Sequence, residues 1–394
     1  MQNVVTSHLM PVYNRYHLAF EHGSGSVLFT SDGTAYLDFG SGVAVNALGH
    51  GHPRLVEALI NQARRLWHTS NLYASPQQER LAQQLCKLSF AERVFFCNSG
   101  TEAVELAIKV ARRYFFVNGK IERNRIITLE GAFHGRTLGA LTATGQAKYL
   151  EGFSPVPDGF DQVPFGDLVA LEQAITERTA AVLVEPIQGE SGVRPMPPGY
   201  LRALRALCDT YGILLLLDEV QTGIGRTGRF FACEHEGIEP DVLATAKGLG
   251  AGFPIGACLA TEAVGMVMTH GSHGSTFGGN PLAMEAATEA VSIISAPAFL
   301  DRVSVASARL MERARELVAR YPQVFSEVRG AGLLIGLQCV APISDIIALA
   351  HKERLLCLSA GNHVLRLAPP LIISDEEIDQ GVERLARVAA QLAQ

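Results

Sequence analysis

The chain has 394 residues, of which 48% are hydrophobic and 18% are charged, so it can bury a large core and divide into two domains. Its formal net charge of −6 comes from interspersed charges without a basic face, which argues against a nucleic-acid-binding protein. The first residues lack a basic start followed by an apolar core, and no apolar run approaches the roughly 20 residues that span a bilayer. We therefore expect a cytoplasmic protein with no membrane partner.

Cysteine and histidine spacing argues against metal binding. The seven cysteines are widely spread without a C-x-x-C pair, which favours reduced core thiols over disulfides or a zinc site. The histidine pairs at 50–52 and 270–273 lack a third ligand at helical or hairpin spacing. We interpret them as loop histidines that pack or cap, and we predict no metal site.

Strands alternate with helices over the middle of the chain. Apolar runs predict strands at 93–98, 125–130, 180–187, 213–217 and 241–245, and apolar periodicity predicts helices at 101–115 and 197–211. The second helix should end at Gly212, a favourable C-terminal glycine. Continuous Leu, Val and Ile runs between amphipathic helices are typical of an α/β protein whose mostly parallel sheet is covered on both faces.

The pattern changes from Pro281 onward. Helices are predicted to about residue 295 and over about 298–320, followed by shorter strands such as 332–340 and a final helix that begins at Ser374. Ser374 and Glu377 can form a capping box at its start. We predict a large domain at 51–285 and a small C-terminal domain at 286–394, with residues 1–50 forming an N-terminal arm and part of the small domain.

A lysine and an aspartate are expected at the same edge of the sheet. Lys247 follows the strand at 241–245 and precedes a glycine-rich turn, and Asp218 ends the strand before it. An ammonium among apolar neighbours loses hydration, so its pKa falls and the free amine can attack an aldehyde. A fixed carboxylate suits a pyridinium nitrogen. Together they are what a pyridoxal phosphate enzyme requires: a Schiff-base lysine and an acidic partner for the ring.

Two further segments could bind anions. In N-S-G-T-E (98–102) the backbone N–H groups of Gly100 and Thr101 lie at a helix start, where the Ser99 and Thr101 hydroxyls could help to hold a phosphate. An ordinary N-cap is the alternative. In H-G-S-T-F-G-G-N-P (273–281), Ser275 and Thr276 could lie against an anion.

The segment E-G-A-F-H-G-R (130–136) ends a strand with an aromatic ring and a guanidinium. Phe133 could stack on a planar ring, and Arg136 offers the two-pronged geometry that carboxylate recognition requires. Packing and surface exposure are the alternative interpretation of these two residues.

The glycine turn G-I-G-R-T-G (223–228) matches a dinucleotide-binding fingerprint, so a nicotinamide-dependent oxidoreductase is an alternative from another class. Against it, the carboxylates of Asp218 and Glu219 would lie where a pyrophosphate should approach. The residues after the turn also give no firm crossover helix.

Eight segments in register carry a family resemblance. They are A-L-G-H-G-H-P, N-S-G-T-E-A, F-H-G-R, V-E-P-I-Q-G-E, L-L-L-D-E-V-Q-T-G-I-G-R-T-G, A-K-G-L-G-A-G-F-P-I-G-A, H-G-S-T-F-G-G-N-P and L-R-L-A-P-P-L, within about residues 36–373. This series resembles the class III (ω-amino) aminotransferases, most closely the acetylornithine aminotransferases. The resemblance implies a pyridoxal phosphate enzyme of fold type I. It has a large domain with a mainly parallel seven-stranded sheet, a small α/β domain, and a homodimer whose active sites lie at the interface.

The resemblance also implies roles for individual residues in cofactor binding. Lys247 is the Schiff-base lysine and proton carrier, Asp218 the partner of the pyridine nitrogen and Gln221 a hydrogen-bond donor to the ring oxygen. Phe133 stacks on the ring. Gly100 and Thr101, with Ser99, hold the phosphate in one subunit, and Thr276, next to Ser275, reaches it from the other.

For the substrates, the resemblance implies two arginines that bind carboxylates and a glutamate that pairs with one of them, called the switch below. Arg136 takes the carboxylate far from the reacting amine, and Arg366 takes the α-carboxylate of glutamate. Glu190 pairs with Arg366 when the other substrate is bound, which avoids a buried unpaired cation. The implied reaction moves the terminal amino group of N2-acetylornithine to 2-oxoglutarate, giving N-acetylglutamate semialdehyde and glutamate, a step of arginine biosynthesis.

The choice of amine donor depends on the residue near position 43. Ornithine aminotransferases of this family carry a tyrosine that reads the free α-amino group, and here Val43 falls in that register, which suits an acylated nitrogen. Succinylornithine, ornithine, 4-aminobutyrate or an acyl-lysine are the alternative donors. Family members usually read G-E-G-G at the switch, whereas this chain has Ser191 after Glu190, a hydroxyl that bears on loop conformation rather than on the chemistry.

Overall fold

The computed structural model describes residues 8–393. The strands in that range, in chain order, are β1 (Phe20–Ser24), β2 (Val27–Thr30), β3 (Ala35–Asp38), β4 (Arg93–Cys97), β5 (Arg125–Leu129), β6 (Phe160–Val163), β7 (Thr179–Val184), β8 (Ile187–Gln188), β9 (Arg194–Pro195), β10 (Leu214–Asp218), β11 (Val242–Thr245), β12 (Gly256–Ala260), β13 (Phe325–Ala331), β14 (Leu334–Cys339), β15 (Leu355–Leu356), β16 (Leu358–Ala360) and β17 (Val364–Leu367).

Helices flank these strands along the chain. They are α1 (Ser41–Ala44), α2 (Pro53–Ala63), α3 (Pro76–Lys87), α4 (Gly100–Val117), α5 (Leu138–Thr144), α6 (Ala147–Leu150), α7 (Leu168–Ala174), α8 (Tyr200–Tyr211), α9 (Glu262–Gly265), α10 (Pro281–Ile294), α11 (Pro297–Arg320), α12 (Ile343–Lys352) and α13 (Asp375–Leu392), with short 3₁₀ helices at Ala232–Glu236 and Lys247–Leu249. Within residues 8–393, no single helix is long and apolar enough to cross a bilayer. The helices α10 and α11 pass that test of length and composition only as a pair, bent by 71°.

A seven-stranded sheet forms the centre of the fold, in the order β4-β12-β11-β10-β7-β5-β6. Only β12 runs antiparallel to its neighbours β11 and β4, and the other pairings are parallel. The strands β7 and β10 are buried along their whole length, as their uninterrupted apolar sequences predict. The predicted α/β class with a mainly parallel seven-stranded sheet is confirmed, whereas β12 was not predicted.

Several predicted boundaries need correction. The strand predicted at 180–187 ends at Val184, because Pro186 has no N–H to donate, and Ile187–Gln188 pairs instead with Arg194–Pro195. The helix predicted from residue 197 begins at Tyr200, after Gly199 in a left-handed conformation. Its predicted end at Gly212 is confirmed by a φ of 59°, and the capping box of α13 is confirmed by mutual hydrogen bonds between Ser374 and Glu377.

The two ends of the described chain meet in one small sheet, β1-β2-β3-β15, in which Leu355 of β15 pairs in parallel with Leu37 of β3. A second small sheet, β13-β14-β17-β16, lies wholly in the C-terminal part and contains Arg366. The pairing of β15 with β3 joins the predicted N-terminal arm and the predicted small domain in one sheet, and residues 1–7 and 394 lie outside the described range. The domain boundaries stay a prediction.

Candidate active site

Polar residues converge where the parallel strands of the central sheet end. Asp218 is the last residue of β10, and Lys247 follows the adjacent strand β11 by two residues. Glu185 directly follows β7, Phe133 lies just beyond β5, and Ser99 lies just beyond β4. Ligands of open α/β sheets bind at this carboxyl edge, so the topology alone places these side chains around one site.

They surround a cavity of about 390 Å³. The predicted site residues that line it are Ser99, Gly100, Thr101, Phe133, Arg136, Glu190, Asp218, Gln221 and Lys247. Arg366 lies behind this lining and contacts both Glu190 and Gln221. The structure does not bring Ser275 or Thr276 to the cavity of the same chain. From the segment around Val43, it is Val45 that lines the cavity.

Lys247 has the properties of a reactive amine. Burial lowers its pKa to about 8, and the opposing effect of the Glu190 carboxylate offsets only part of that shift. About a tenth of the amine is therefore uncharged at pH 7, far more than for an ordinary lysine. Its backbone has a φ of 45°, a left-handed conformation that costs a non-glycine residue about 1–3 kcal/mol and is found mainly where function requires it.

Asp218 is fixed by a histidine that was not predicted. His134 Nδ1 lies 2.8 Å from Asp218 Oδ2, and the backbone N–H of Val220 donates to Oδ1 over 3.1 Å. The side chain of His134 is fully buried and that of Asp218 is 4% exposed, so solvent does not compete for this contact. An ionised Asp218 requires the proton on Nδ1, and His134 then orients the carboxylate. The motif F-H-G-R contained this residue, but its role becomes visible only in the fold.

Glu185 is a second buried carboxyl group that was not assigned from the sequence. It accepts a hydrogen bond from the backbone N–H of Phe133 over 2.8 Å. Burial, with the charge of Asp218 nearby, raises the pKa of Glu185 well above its usual range. A protonated Glu185 adds no second negative charge beside Asp218 and holds the backbone that carries Phe133.

The start of α4, where an anion site is predicted, lines the cavity and is capped in the ordinary way. The Ser99 hydroxyl accepts from the backbone N–H of Glu102 over 3.3 Å and donates to its carboxylate over 2.9 Å. A Cβ at Gly100 would lie 2.7 Å from Val220, so glycine allows the helix start to approach the turn after β10. The Thr101 hydroxyl accepts from the backbone N–H of Arg136 over 3.2 Å. The helix N-terminus and the Arg136 loop therefore form one wall of the cavity.

Arg136 lies at the open side of this wall. Its guanidinium carbon lies 4.1 Å from the centre of the Tyr149 ring and 5.3 Å from that of Phe133. These contacts orient an exposed guanidinium that could bind a carboxylate through two parallel hydrogen bonds. Tyr149 was not predicted, since nothing in its local sequence distinguishes it from a surface tyrosine.

An ion pair between a buried arginine and a partly exposed carboxylate also borders the cavity. Arg366, whose side chain is 3% exposed, donates to Glu190 over 2.5 Å and to the Gln221 side-chain oxygen over 3.1 Å. Burial alone would raise the pKa of Glu190, but the Arg366 guanidinium outweighs it, and the pKa lies below its usual value. The carboxylate is thus held ionised on the arginine.

Ser275 and Thr276 lie in a surface segment beside α3. The Ser275 hydroxyl accepts from Gly278 N–H over 2.9 Å and from the Asn98 side chain over 3.3 Å. Asn71 donates to the carbonyl oxygens of Ser275 and Gly278, both over 3.0 Å. The segment is therefore held by several hydrogen bonds, but Ser275 and Thr276 themselves do not line the cavity of their own chain.

The glycine turn at 223–228 does not form a dinucleotide site. Arg226 is buried in its middle and donates to the carbonyl oxygens of Leu333 over 3.0 Å and Pro369 over 2.5 Å. The next helical element is the short 3₁₀ helix Ala232–Glu236, not the long crossover helix that the fingerprint requires. The turn instead connects the large sheet to the C-terminal part.

The carboxyl edge of the sheet carries four groups that together define a class of protein. They are a lysine of low pKa after one strand, a fixed buried carboxylate on the adjacent strand, an aromatic ring and a helix N-terminus. They are the attributes of a pyridoxal-phosphate-dependent enzyme of fold type I. The model of the family "Aminotransferase class-III" matches residues 10–389. The chain belongs to the class III aminotransferases, a pyridoxal-phosphate-dependent family, and the oxidoreductase alternative is wrong.

Similar proteins agree with this assignment. The chain is 54% identical over 393 residues to acetylornithine aminotransferase 1 of Bradyrhizobium diazoefficiens, covering 100% of this chain and 97% of the relative. It is 52% identical to the acetylornithine aminotransferase of Brucella melitensis, covering 100% and 98%. Among solved structures, the ornithine aminotransferase of Toxoplasma gondii superposes with a TM-score of 0.93 at 32% identity, covering 97% of this chain and 93% of that one. The N-acetylornithine aminotransferase of Stenotrophomonas maltophilia gives 0.84 at 40% identity, covering 96% and 97%.

Proposed function

We propose that the chain transfers the terminal amino group of N2-acetylornithine to 2-oxoglutarate, giving N-acetylglutamate semialdehyde and glutamate, a step of arginine biosynthesis. The observation that carries the proposal is the Glu190–Arg366 pair, with its arginine buried, at a cavity that Arg136 also lines. A carboxylate that can neutralise one of two arginines lets one pocket take both a monocarboxylate and a dicarboxylate substrate.

The residues present fit pyridoxal phosphate. The donor set is a low-pKa amine, a buried carboxylate, an aromatic side chain and the N-terminus of an 18-residue helix, and all of them line one cavity. When bound, the cofactor supplies an aldehyde that takes up the amino group and a ring that accepts electrons. The Lys247 amine would hold it covalently, Gly100 and Thr101 would hold its phosphate, and Phe133 would stack on its ring.

The remaining steps belong to side chains of the protein. Asp218, oriented by His134, would keep the pyridine nitrogen protonated, and Gln221 would hydrogen-bond the ring oxygen. Lys247, once displaced by the substrate amine, would carry the proton away from the reacting carbon of the substrate. Its lowered pKa suits this task, because a base works best when its pKa lies near the working pH.

Substrate recognition would use both arginines in turn. Arg136 would bind the carboxylate far from the reacting amine in either substrate, since its guanidinium is exposed to the cavity and held by Tyr149. Glutamate carries a second carboxylate beside the reacting amine, and this would replace Glu190 on Arg366. With N-acetylornithine, Glu190 would stay on Arg366 and prevent a buried unpaired cation, which costs several kcal/mol.

The choice of N-acetylornithine over other ω-amines is supported by relatives at about 50% identity and by the apolar Val45 in the cavity wall. A panel of amine donors with 2-oxoglutarate tests it. We expect N-acetylornithine to give the highest kcat/KM, ahead of succinylornithine, ornithine, 4-aminobutyrate and acyl-lysine. A higher value for unacylated ornithine would contradict the proposal.

The switch can be tested by Glu190→Gln. The variant should lose efficiency with N-acetylornithine by roughly tenfold or more, about 1.4 kcal/mol for each factor of ten, because Arg366 loses its anionic partner. It should keep or improve its reaction with glutamate, whose α-carboxylate supplies that partner. Single-turnover measurements with each substrate separate the two halves, and equal losses in both would make Glu190 a structural residue only.

We also propose a homodimer in the cytoplasm whose two sites share residues. Its support is a group of exposed apolar side chains, Trp67, Leu72, Tyr73 and Phe277, on the two segments that Asn71 ties together. Burying such a patch between two copies would be favourable. Thr276 and Ser275 lie in the second of these segments and could thereby reach the phosphate site of the other subunit.

A further inference from the structure

The loop that carries Glu190, residues 189–192, is attached to the stretch before Phe133 by the Ser191 hydroxyl, and Gln188, just before the loop, donates to the Glu130 carbonyl over 3.1 Å. The Ser191 side chain is buried and donates to the backbone carbonyl of Gly131. Gly131 has a φ of 83°, and a Cβ there would lie 3.2 Å from the Ser191 oxygen, so the two segments are in close contact. Gly131 belongs to the stretch that leads into Phe133 and Arg136.

The same loop is held on its other side by the C-terminal part of the chain. The backbone N–H of Gly361 donates to the Glu190 carbonyl over 2.7 Å, and Arg329 Nε donates to the Gly192 carbonyl over 2.8 Å. The Asn362 side chain adds a longer contact of 3.4 Å to the Ser191 carbonyl. Within residues 189–192, the Ser191 hydroxyl makes the hydrogen bond to the stretch that leads to Arg136, next to the bond of Gln188 with Glu130. The other contacts of the loop come from β13 and the turn before β17.

A backbone fixed on both sides restricts how Glu190 can move. Its carboxylate already lies on Arg366, and the hydrogen bonds of the loop oppose a backbone shift that would carry the carboxylate away. Ordering a charged side chain in the paired position in advance lowers the entropic cost of keeping that pair. It also raises the cost of replacing the pair by a substrate carboxylate.

We propose that Ser191 is a specificity-determining positioning residue: through its bond to Gly131 it holds Glu190 on Arg366 and favours amine donors that lack a carboxylate at the reacting end. This inference rests on the proposed two-substrate function of the pocket. It concerns the relative kcat/KM of the two half-reactions. Ser191 takes no part in the chemical steps.

Ser191→Ala removes the hydroxyl with little change in volume. We expect the ratio of kcat/KM for N-acetylornithine to kcat/KM for glutamate to fall about fivefold, the size of effect that one buried hydrogen bond commonly has. The change should appear mainly in KM, and the inhibition constant of glutarate, a dicarboxylate without an amino group, should fall to a similar degree. Hydrogen exchange of a peptide spanning 186–196 should become faster.

Ser304→Ala is a matched control, because Ser304 also donates to a backbone carbonyl, that of Leu300 over 3.0 Å, on exposed α11. It should leave the ratio and the exchange of 186–196 unchanged. Should Ser191→Ala fail to fold, Ser191→Cys keeps a weaker donor and should lower the ratio by a smaller factor. An unchanged ratio in the folded variant, or equal losses in both half-reactions, would overturn the proposal.

A wrong donor assignment can be distinguished from a wrong role of Ser191. If the wild-type enzyme does not turn over N-acetylornithine, the donor assignment is wrong, and glutarate binding by thermal shift together with hydrogen exchange still decides the role of Ser191. Tighter glutarate binding and faster exchange in Ser191→Ala support that role. No change in either measurement excludes it.

Discussion

Replacing Lys247 by alanine should abolish transamination and the absorption of the covalently held cofactor near the violet edge of the visible spectrum. The variant loses both the amine that attaches the cofactor and the group that moves the proton. The loss should be complete within detection, because no other lysine lines the cavity in residues 8–393. Absorption spectra and steady-state rates of the purified protein measure both effects.

Lys87→Ala is a suitable control for Lys247→Ala, since Lys87 is an exposed residue in the last turn of α3. It should match the wild type in spectrum and rate. An added small primary amine could restore part of the proton transfer in Lys247→Ala. Substantial turnover by that variant without an added amine would mean that the reactive amine lies elsewhere.

Asp218→Asn should retain the fold and reduce the rate of the chemical step by roughly 100-fold or more, at about 1.4 kcal/mol for each factor of ten. A neutral amide cannot hold a pyridine nitrogen protonated, so the ring no longer draws electrons from the reacting carbon. The amide oxygen can still accept from Val220 N–H, and the amide NH2 can donate to His134 Nδ1 in the other tautomer of the imidazole, which is why the local structure should survive. Single-turnover rates with saturating substrate isolate this step.

Asp209→Asn provides the matched control, because Asp209 is an exposed partner of Arg205 on α8 and lies outside the cavity lining. Its rate should equal that of the wild type. If Asp218→Asn binds the cofactor and turns over at the wild-type rate, another group keeps the ring nitrogen protonated.

Much of the site was predictable because its chemistry is encoded locally. Lys247 and Asp218 each end an apolar strand, and such strands are recognisable from a few consecutive residues. The start of α4, the glycine end of α8 and the capping box of α13 likewise depend on residues within one turn of each other. The order of the motifs along the chain indicated the family. The resemblance to that family then implied the roles of the remaining residues.

The wrong bounds of one predicted strand and one predicted helix had local causes that the apolar periodicity does not show. Pro186 cut the strand predicted at 180–187, and Gly199 delayed the next helix. The strands β6 and β12 were not predicted, because F-D-Q-V and G-A-C-L-A lack a continuous run of Val, Ile and Leu. The antiparallel direction of β12 depends on the neighbours that it meets in the fold.

The sequence by itself determined most of the strands and helices of the large sheet, where the reactive lysine lies and which family the motifs resemble. Only the tertiary structure decided which distant residues meet. Glu190 and Arg366 pair across 176 positions and His134 and Asp218 across 84, and burial then sets the pKa of Lys247 and Glu185. The physical reason is that propensity and capping act over a few residues, whereas ion pairing and desolvation depend on distance and packing in the folded chain.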